Sequence, residues 1–515
     1  MLKVWRREVL REFVRTKLNG YRFILVSNRE PFEHRHASTG INCVQPAGGL
    51  ASALDPVMRA CGGLWIAHGS GDADTQTVDK FDRVKLPPDD AQYTLRRVWL
   101  SKEEHEAHYL GLSNQGIWPL CHVAFTRPVF DADDWQAYRR VNERFAETVL
   151  EEAGSDPAFV FIQDYHFALL PRMLRNARPN LVIAQFWHVP WPNSEVFNLF
   201  PWKDEILDGL LGNDLLGFQL QHHCQNFLKT VDCSLEARVD ESGSEICRGG
   251  HSTHVRPFPI GIDFDAHAEL ADSDAVANQT RRWREELSLK GKMLGIGIDR
   301  LDYTKGIPER LRSLGRLLEM HPQYRGKLVF AQIAVPSRSS LPEYRNIEQE
   351  VDYLTAQINR RWGTSSWRPI VLMKRNYNAS EMIALHRLAD FCVVSSLHDG
   401  MNLVAKEFAA SRADEDGVLV LSKFTGAAHE LKEALQVNPF SVEECANAYR
   451  DALTMQPDER KRRMRKMRES VEDNNVYRWA GKLLSELARV ETKEKQVPVS
   501  ALETEFQPAA LGVAV

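Results

Sequence analysis

The sequence has no run of the roughly 18 uninterrupted apolar residues that a membrane-spanning helix needs, and it opens on charges where a signal peptide would carry an apolar core. Both absences point to a protein of the cytoplasm. Cysteine is sparse, eight in 515 residues, and Cys43, Cys61, Cys121, Cys224, Cys233, Cys247, Cys392 and Cys445 include no C-x-x-C pair. That argues against disulfides and a zinc site and for buried free thiols in a reducing compartment. An excess of one charge is lacking too: 65 Lys and Arg face 70 Asp and Glu, so no global basic field exists to hold nucleic acid, and any anion site must be local. No internal repeat or low-complexity block is visible.

What is there is a chain 43% hydrophobic and 26% charged, longer than one core usually organises, so two domains are expected. Short apolar runs bounded by turn residues, at Phe23 to Ser27, Leu64 to Ala67, Phe159 to Ile162, Val182 to Trp187, Leu215 to Phe218 and Val255 to Pro259, predict buried parallel strands. A second series follows at Met293 to Ile298, Lys327 to Ile333, Ile370 to Met373, Phe391 to Ser395 and Val418 to Ser422, separated by helical stretches such as Ile307 to Met320. The fold class is therefore α/β, two Rossmann-like doubly wound units facing a central cleft. The expected division is a helical extension over 1–20, units over 21–263 and 264–475, a further helix over 476–490 and a disordered tail over 491–515. Asp272 to Gln279 reads as a polar connector. The N-terminal segment, with Lys3, Arg6, Arg7, Arg11 and Arg15 among apolar residues, reads as a docking or homo-oligomer contact helix more readily than as a membrane-surface helix.

The richest segment runs from Ser396 through Asp399-Gly400-Met401-Asn402-Leu403 to Glu407, where a strand ends in a polar turn and opens a helix. Backbone N–H groups at such a start favour an anion or sugar oxygens, and Glu407 lies about two helical turns beyond Asp399. The loop at Arg300 and Lys305 puts two cations at the end of another strand, where they can neutralise a diphosphate leaving group without metal. Asp302 can pair with either. In the first unit, Asp164 and His188 end apolar strands, Ser27-Asn-Arg29 ends a third, and Gly48-Gly49 precede a helical stretch. Arg338 ends a further strand, and Tyr109 and Trp118 flank Ser113-Asn114. Singly these are a capping Asp, solvated loop charges, a satisfied core histidine and core aromatics. Together they place too many polar groups at one sheet edge for that.

Jointly these motifs resemble the trehalose-6-phosphate synthases of glycosyltransferase family 20, over about Arg22 to Leu487; Arg300-Leu-Asp-Tyr-Thr-Lys-Gly306 and Asp399-Gly-Met-Asn-Leu-Val-Ala-Lys-Glu407 are the most specific strings. The resemblance implies a GT-B fold whose first domain takes the acceptor and whose second takes a nucleotide-sugar, with no cofactor and no metal. It implies that Arg300 and Lys305 grip the donor diphosphate, Glu407 its ribose, and His188 and Asp399 the transferred ring, aided by Gly48, Gly49 and the amides of Gly400, Met401, Asn402 and Leu403. Arg29, Tyr109, Trp118 and Arg338 would bind the acceptor's phosphate and ring, with Asp164 on its hydroxyls. The implied reaction is retaining glucosyl transfer by front-face displacement, from UDP-glucose foremost, to glucose 6-phosphate. The resemblance also suggests a role in osmotic protection and a terminal helix that crosses back to the first domain around Trp479.

Departures keep other readings open. His68 stands where the family commonly has a second tryptophan, and Arg29-Glu30-Pro31 followed by the insertion from Phe32 to Pro46 looks like the related glucosylglycerol-phosphate synthases, which use ADP-glucose and glycerol 3-phosphate. UDP, ADP and GDP all remain possible donors. A catalytically silent homologue would be expected to lack the donor-grip residues, which are present here. Asp263-Phe-Asp265 faintly resembles the start of a haloacid-dehalogenase phosphatase but lacks the residue that follows.

Overall fold

The computed structural model of the chain describes residues 5–18, 20–38, 40–46 and 49–494. Gly48, the first four residues of the N-terminal segment, and 495–515 of the expected tail lie outside the described residues. The first unit is built on a ten-stranded sheet in the spatial order Arg238–Asp240, Glu245–Arg248, His251–Pro257, Leu215–Phe218, Val182–Trp187, Ala158–Gln163, Arg22–Arg29, Leu64–His68, Tyr93–Val98, Arg83–Leu86. From His251–Pro257 to Tyr93–Val98 all neighbours are parallel, and antiparallel strands finish both edges. Ala158–Gln163 and Val182–Trp187 are buried at every position, which is why they read as continuous apolar runs.

The second unit is a six-stranded parallel sheet in the order Ile370–Met373, Leu328–Val335, Met293–Arg300, Phe391–Val394, Val418–Ser422, Leu435–Val437. Numbered along the chain this is 3-2-1-4-5-6, the doubly wound order of dinucleotide-binding folds, so the expected α/β class is met in both units. The order reverses between Met293–Arg300 and Phe391–Val394, and in the first sheet between Arg22–Arg29 and Ala158–Gln163. Crevices open at such reversals because successive helices leave on opposite faces. Arg29 and Arg300 end two of these four strands, and Asp164 and Asp399 follow the other two.

Several expectations need correction. Asp272 to Gln279 is not an extended connector: Asp272 ends the helix Phe264–Ala271, and Ser273 caps Asp274–Glu286 by accepting from the Val276 N–H at 3.3 Å. A polar stretch there is a cap and an exposed first turn. Asp263 likewise caps a helix, through Ala266 N–H at 3.2 Å, and accepts from the Tyr477 hydroxyl at 2.6 Å, which explains the phosphatase-like string structurally. The insertion after Pro31 forms the antiparallel hairpin Glu33–Ala37 with Gly40–Val44. The last helix, Val476–Glu494, takes in four residues of the expected tail. The described cysteines are all free, but only Cys121, Cys224, Cys392 and Cys445 are buried, and Cys233 is exposed.

Two terminal segments lie on the first unit. Trp479 of Val476–Glu494 packs 5.2 Å from Phe186 and 5.8 Å from Phe161, ring to ring. The helix Arg7–Lys17 buries Leu10, and the preceding Trp5 sits against Gly481, where a Cβ would lie 2.3 Å from the indole. This amphipathic helix therefore spends its apolar face inside the chain. No helix among the described residues is long and apolar enough to cross a membrane.

Candidate active site

In the second unit, Asp302 accepts from Thr304 N–H at 2.9 Å and shapes a single turn over Tyr303–Lys305. Gly306, at φ 62°, then approaches the Ser395 carbonyl so closely that a Cβ would lie 2.2 Å from it. Only glycine serves both needs. The turn delivers Lys305 Nζ to 2.5 Å from Asp399 Oδ2, which also accepts from Ser396 Oγ at 3.2 Å and Asn402 Nδ2 at 3.3 Å. Burial works against the Asp399 charge, but Lys305 and these bonds bring its carboxyl down to about 2. Asp399 is thus not the helix cap; Asn402 is, at φ 71°, accepting from Ala405 N–H at 3.3 Å at the start of Leu403–Ser411. Burial pushes the carboxyl of Glu407, further along that helix, up to about 7.

In the first unit, Asp164 sits at φ 69°, ψ 179°, a region that side-chain-bearing residues avoid. Its neighbours hold it there: its N–H donates to Phe186 O at 2.7 Å, its carbonyl accepts from Gln185 Nε2 at 3.0 Å, and its carboxylate accepts from His188 N–H at 3.1 Å. Burial raises the Asp164 carboxyl to about 7 against those bonds. His188 bonds Gln163 Oε1 at 3.0 Å through Nε2, and burial lowers its pKa to about 3, so it is neutral. Arg29 follows an irregularity that lets Ser27 pair with Ala67 and Arg29 with His68.

Tyr109 lies in a wide helical segment, Glu106–Ile117, of the π type that often marks functional positions. Trp118 begins the next helix. Arg338, itself at φ 48°, reaches across from the second unit and lies 4.8 Å over the Trp118 ring and 5.6 Å over Tyr109, while Arg300 lies 5.9 Å over Trp118. Asp302 pairs with Arg338, at 3.4 Å, and Tyr344 OH bonds the same guanidinium at 2.6 Å. Burial alone would raise the Tyr109 phenol, yet Arg338, Arg29 and Arg300 bring it down to about 8. A local cationic field therefore exists without global positive charge.

The two halves touch. A Cβ on Gly400 would lie 2.1 Å from the His188 carbonyl oxygen, and Gly49 faces Leu403. His398 donates from Nδ1 to the His122 carbonyl at 2.8 Å, and the His122 ring packs in a tilted arrangement 4.0 Å from Trp118. The structure thus gathers His188, Asp164, Lys305, Asp399 and Gly400 at one end of the cleft, and Tyr109, Trp118, Arg300, Arg338 and Arg29 beside them. Met401 is buried in the turn behind Asp399. Sequence reasoning missed His122 and His398, whose only signal is proximity in sequence to Trp118 and Asp399. It also missed a buried ion cluster in which Arg97 pairs with Glu30 and Asp74 at 2.8 Å each, tying down the insertion hairpin through His34. Beside it, the His68 ring packs in a tilted arrangement 5.2 Å from His105, which stacks 5.2 Å from Tyr109.

No group of three His, Cys, Asp or Glu among the described residues is arranged to hold a metal ion. An open groove of about 810 Å³ lies elsewhere, at the outer sheet edge near Arg238; its Arg172 and Arg248 are already paired with Asp208 at 3.2 and 3.0 Å.

Residues 21–489 match the model of glycosyltransferase family 20. The chain is 36% identical over 474 residues to the UDP-forming alpha,alpha-trehalose-phosphate synthase of Botryotinia fuckeliana, covering 91% of this chain and 89% of that one. It is 38% identical over 475 residues to the trehalose-6-phosphate synthase of Mycolicibacterium smegmatis, covering 90% and 92%. Among solved structures, the UDP-forming alpha,alpha-trehalose-phosphate synthase of Burkholderia xenovorans in complex with glucose-6-phosphate superposes with a TM-score of 0.81 at 32% identity, over 90% of this chain and 99% of that one. The E. coli protein bound with UDP-2-fluoro glucose gives 0.80 at 31%, over 91% and 99%.

Proposed function

This chain belongs to glycosyltransferase family 20, and from that membership and the geometry of its cleft we propose that it transfers glucose from UDP-glucose to glucose 6-phosphate, releasing UDP and forming alpha,alpha-trehalose 6-phosphate. The observation that carries the acceptor reading is Arg338 lying over both Trp118 and Tyr109, close enough together with Arg29 to draw down the Tyr109 phenol. A planar, permanently charged guanidinium set of this kind suits a phosphate monoester. Trp118 and Tyr109 supply apolar faces for a sugar ring.

The donor lies on the second domain. Arg300 and Lys305 take its diphosphate, the amides of Gly400 to Leu403 at the helix start add to that grip with Gly49 opposite, and Glu407 takes the ribose hydroxyls. Before the donor arrives Lys305 is held by Asp399; the diphosphate shares that ammonium, and Asp399 turns to a hydroxyl of the transferred ring beside His188. The bond from the anomeric carbon to the β-phosphate oxygen breaks, the acceptor's anomeric hydroxyl oxygen bonds to the same face of that carbon, and its proton passes to the leaving phosphate oxygen. No side chain needs to act as a strong base, which agrees with a neutral His188. Asp164 orients the acceptor hydroxyls from its strained position. The reaction is placed in the cytoplasm, a compartment in which the free described cysteines are at home.

A second acceptor, glycerol 3-phosphate, is favoured by one observation, the His68 and His105 rings packed beside Tyr109, with His68 where the family commonly has a tryptophan. Nucleotide release from UDP-, ADP- and GDP-glucose, each with glucose 6-phosphate, glycerol 3-phosphate or no acceptor, decides. Release confined to UDP-glucose with glucose 6-phosphate is the expected result. A preference for glycerol 3-phosphate would transfer the protein to the other branch, and no release with any pair would refute the reading.

A further inference from the structure

The chain crosses between the domains twice, at residues 258–263 and again at 473–475, and the crossings lie side by side. Val476 N–H donates to Ile262 O at 2.9 Å, and Gly261 is pressed so closely on the Asn474 carbonyl that a Cβ would lie 2.1 Å from it. Main-chain groups in such an irregular buried segment must find partners. At Ile260 the partners come from different domains. Its N–H donates to Gln219 Oε1 at 3.0 Å, just beyond the first-domain strand Leu215–Phe218, and its carbonyl accepts from Lys406 Nζ at 2.7 Å, on the second-domain helix Leu403–Ser411. Ile260, Gln219 and Lys406 are 2%, 1% and 0% exposed, so no water can replace either bond.

Each side chain also leads to the cleft. Lys406 precedes Glu407 and is ion-paired with Glu430 at 2.9 Å. Gln219 Nε2 lies 3.5 Å from the His188 carbonyl, the oxygen on which Gly400 rests. We propose that Gln219 and Lys406 are positioning residues which latch the hinge peptide at Ile260 from opposite sides and so set the closed angle at which His188 faces Asp399. Rotation of either domain about the crossing must stretch one of the two bonds to Ile260. Packing alone would leave the angle soft, whereas a buried ammonium and a buried amide on one peptide give it a direction. Neither side chain is a catalytic residue, since their polar atoms are engaged with the hinge, Glu430 and His188.

The inference rests on glucosyl transfer taking place in this cleft. The test uses the full chain carrying Gln219→Leu, Lys406→Met together with Glu430→Gln so that no carboxylate is left unpaired, and all three changes combined. Turnover, equilibrium affinity for UDP, and X-ray scattering with and without UDP and glucose 6-phosphate are measured, with thermal melting as the check on folding. Each variant should lose roughly ten- to hundredfold in kcat, the scale of a small misplacement of reacting groups, and should no longer compact on binding. UDP affinity should stay within about threefold, because the side chains assigned to the diphosphate and ribose, Arg300, Lys305 and Glu407, all lie in the second domain. Because both bonds act on one peptide, the combined variant should be no worse than the worse of the two. Losses that multiply, or compaction that survives in both, would overturn the latch. Gln219→Asn, whose shorter amide drops the bond to Ile260 without emptying the site, replaces Gln219→Leu should that variant not fold. A wild-type protein that turns over no donor and acceptor pair would sink the functional reading alone, and compaction with UDP by itself would still decide the latch.

Discussion

Gly400→Ala puts the closed cleft to its most direct trial. Gly400 is not in a left-handed conformation, so an alanine strains no torsion there; the whole effect must come from the new methyl group. That group would start 2.1 Å from the His188 carbonyl oxygen, and real contacts essentially never fall under 3.0 Å, so the domains must part by about 0.9 Å at this point (3.0 minus 2.1). A displacement of about 1 Å between reacting groups costs on the order of 10²-fold in rate, or about 2.7 kcal/mol in the barrier. Steady-state UDP release should therefore show kcat down about a hundredfold, while UDP affinity, which the proposed donor grip assigns to Arg300, Lys305 and Glu407, should be kept. Gly315→Ala serves as the control: its Cβ would meet Ile358 at 3.4 Å inside the helix Ile307–Met320, an ordinary contact, and helix propensity favours alanine by up to about 1 kcal/mol. Full turnover in Gly400→Ala at unchanged melting temperature would refute the idea that His188 and Asp399 act on one ring from opposite walls.

Four further outcomes follow from the same site. Lys305→Ala should lower kcat by roughly 10²- to 10³-fold through loss of charge stabilisation and should also destabilise the fold, because Asp399 is left buried and unpaired; Lys305→Ala with Asp399→Asn should melt higher than Lys305→Ala alone, and equal melting would count against the pair. In the wild type Asp399 titrates at about 2, below its usual 3.8, so its contribution to stability is present above pH 3.8 and is lost as pH falls through about 2. Tyr109 ionises at about 8, so kcat/KM for the acceptor should fall above that pH as a phenolate comes to face the phosphate, and Tyr109→Phe should flatten that limb; an unchanged limb would remove Tyr109 from the acceptor site. Asp164→Gly should abolish turnover yet release backbone strain of about 1 to 3 kcal/mol, read as a higher melting temperature. The gain should be larger at pH 8 than at pH 5: burial raises the Asp164 pKa from 3.8 to about 7, so its penalty grows across that window and is complete above it.

Much of the fold is legible because buried parallel strands carry their own signal. Val182–Trp187, Ile370–Met373 and Val418–Ser422 coincide with apolar runs read from the sequence; the first and last are buried at every position, and Ile370–Met373, at the sheet edge, is buried at its two ends. Tyr93–Val98 is not legible for the opposite reason: it carries Arg96 and Arg97, and Arg97 is buried only because Glu30 and Asp74, distant in sequence, neutralise it. The insertion hairpin is hidden likewise, since its strand Glu33–Ala37 is charged and its partners on the 69–77 loop are non-local. Asp272 to Gln279 misled because polarity marks a cap as well as a linker.

The site divides along the same line. Residues whose role follows from position at a strand's C-terminal end, such as Arg29, Asp164, Arg300 and Asp399, can be picked out one by one, because doubly wound topology sends every such end to the same edge. What the sequence cannot carry is the pairing across the cleft. Arg338 over Trp118, His398 on His122 and the two bonds on Ile260 join residues separated by 146 or more positions in all but one case, and each depends on how one domain is turned against the other. The exception is Gln219, 41 positions from Ile260 at the hinge, and even there nothing in Phe218-Gln219-Leu220 marks the glutamine as more than the start of a helix. The proposed donor grip is therefore readable as a motif, whereas the closed angle at which it would work is readable only as geometry. Enzymes of one fold can keep the first and differ in the second, and in this chain the second rests on a buried lysine and a glutamine that no catalytic motif would single out.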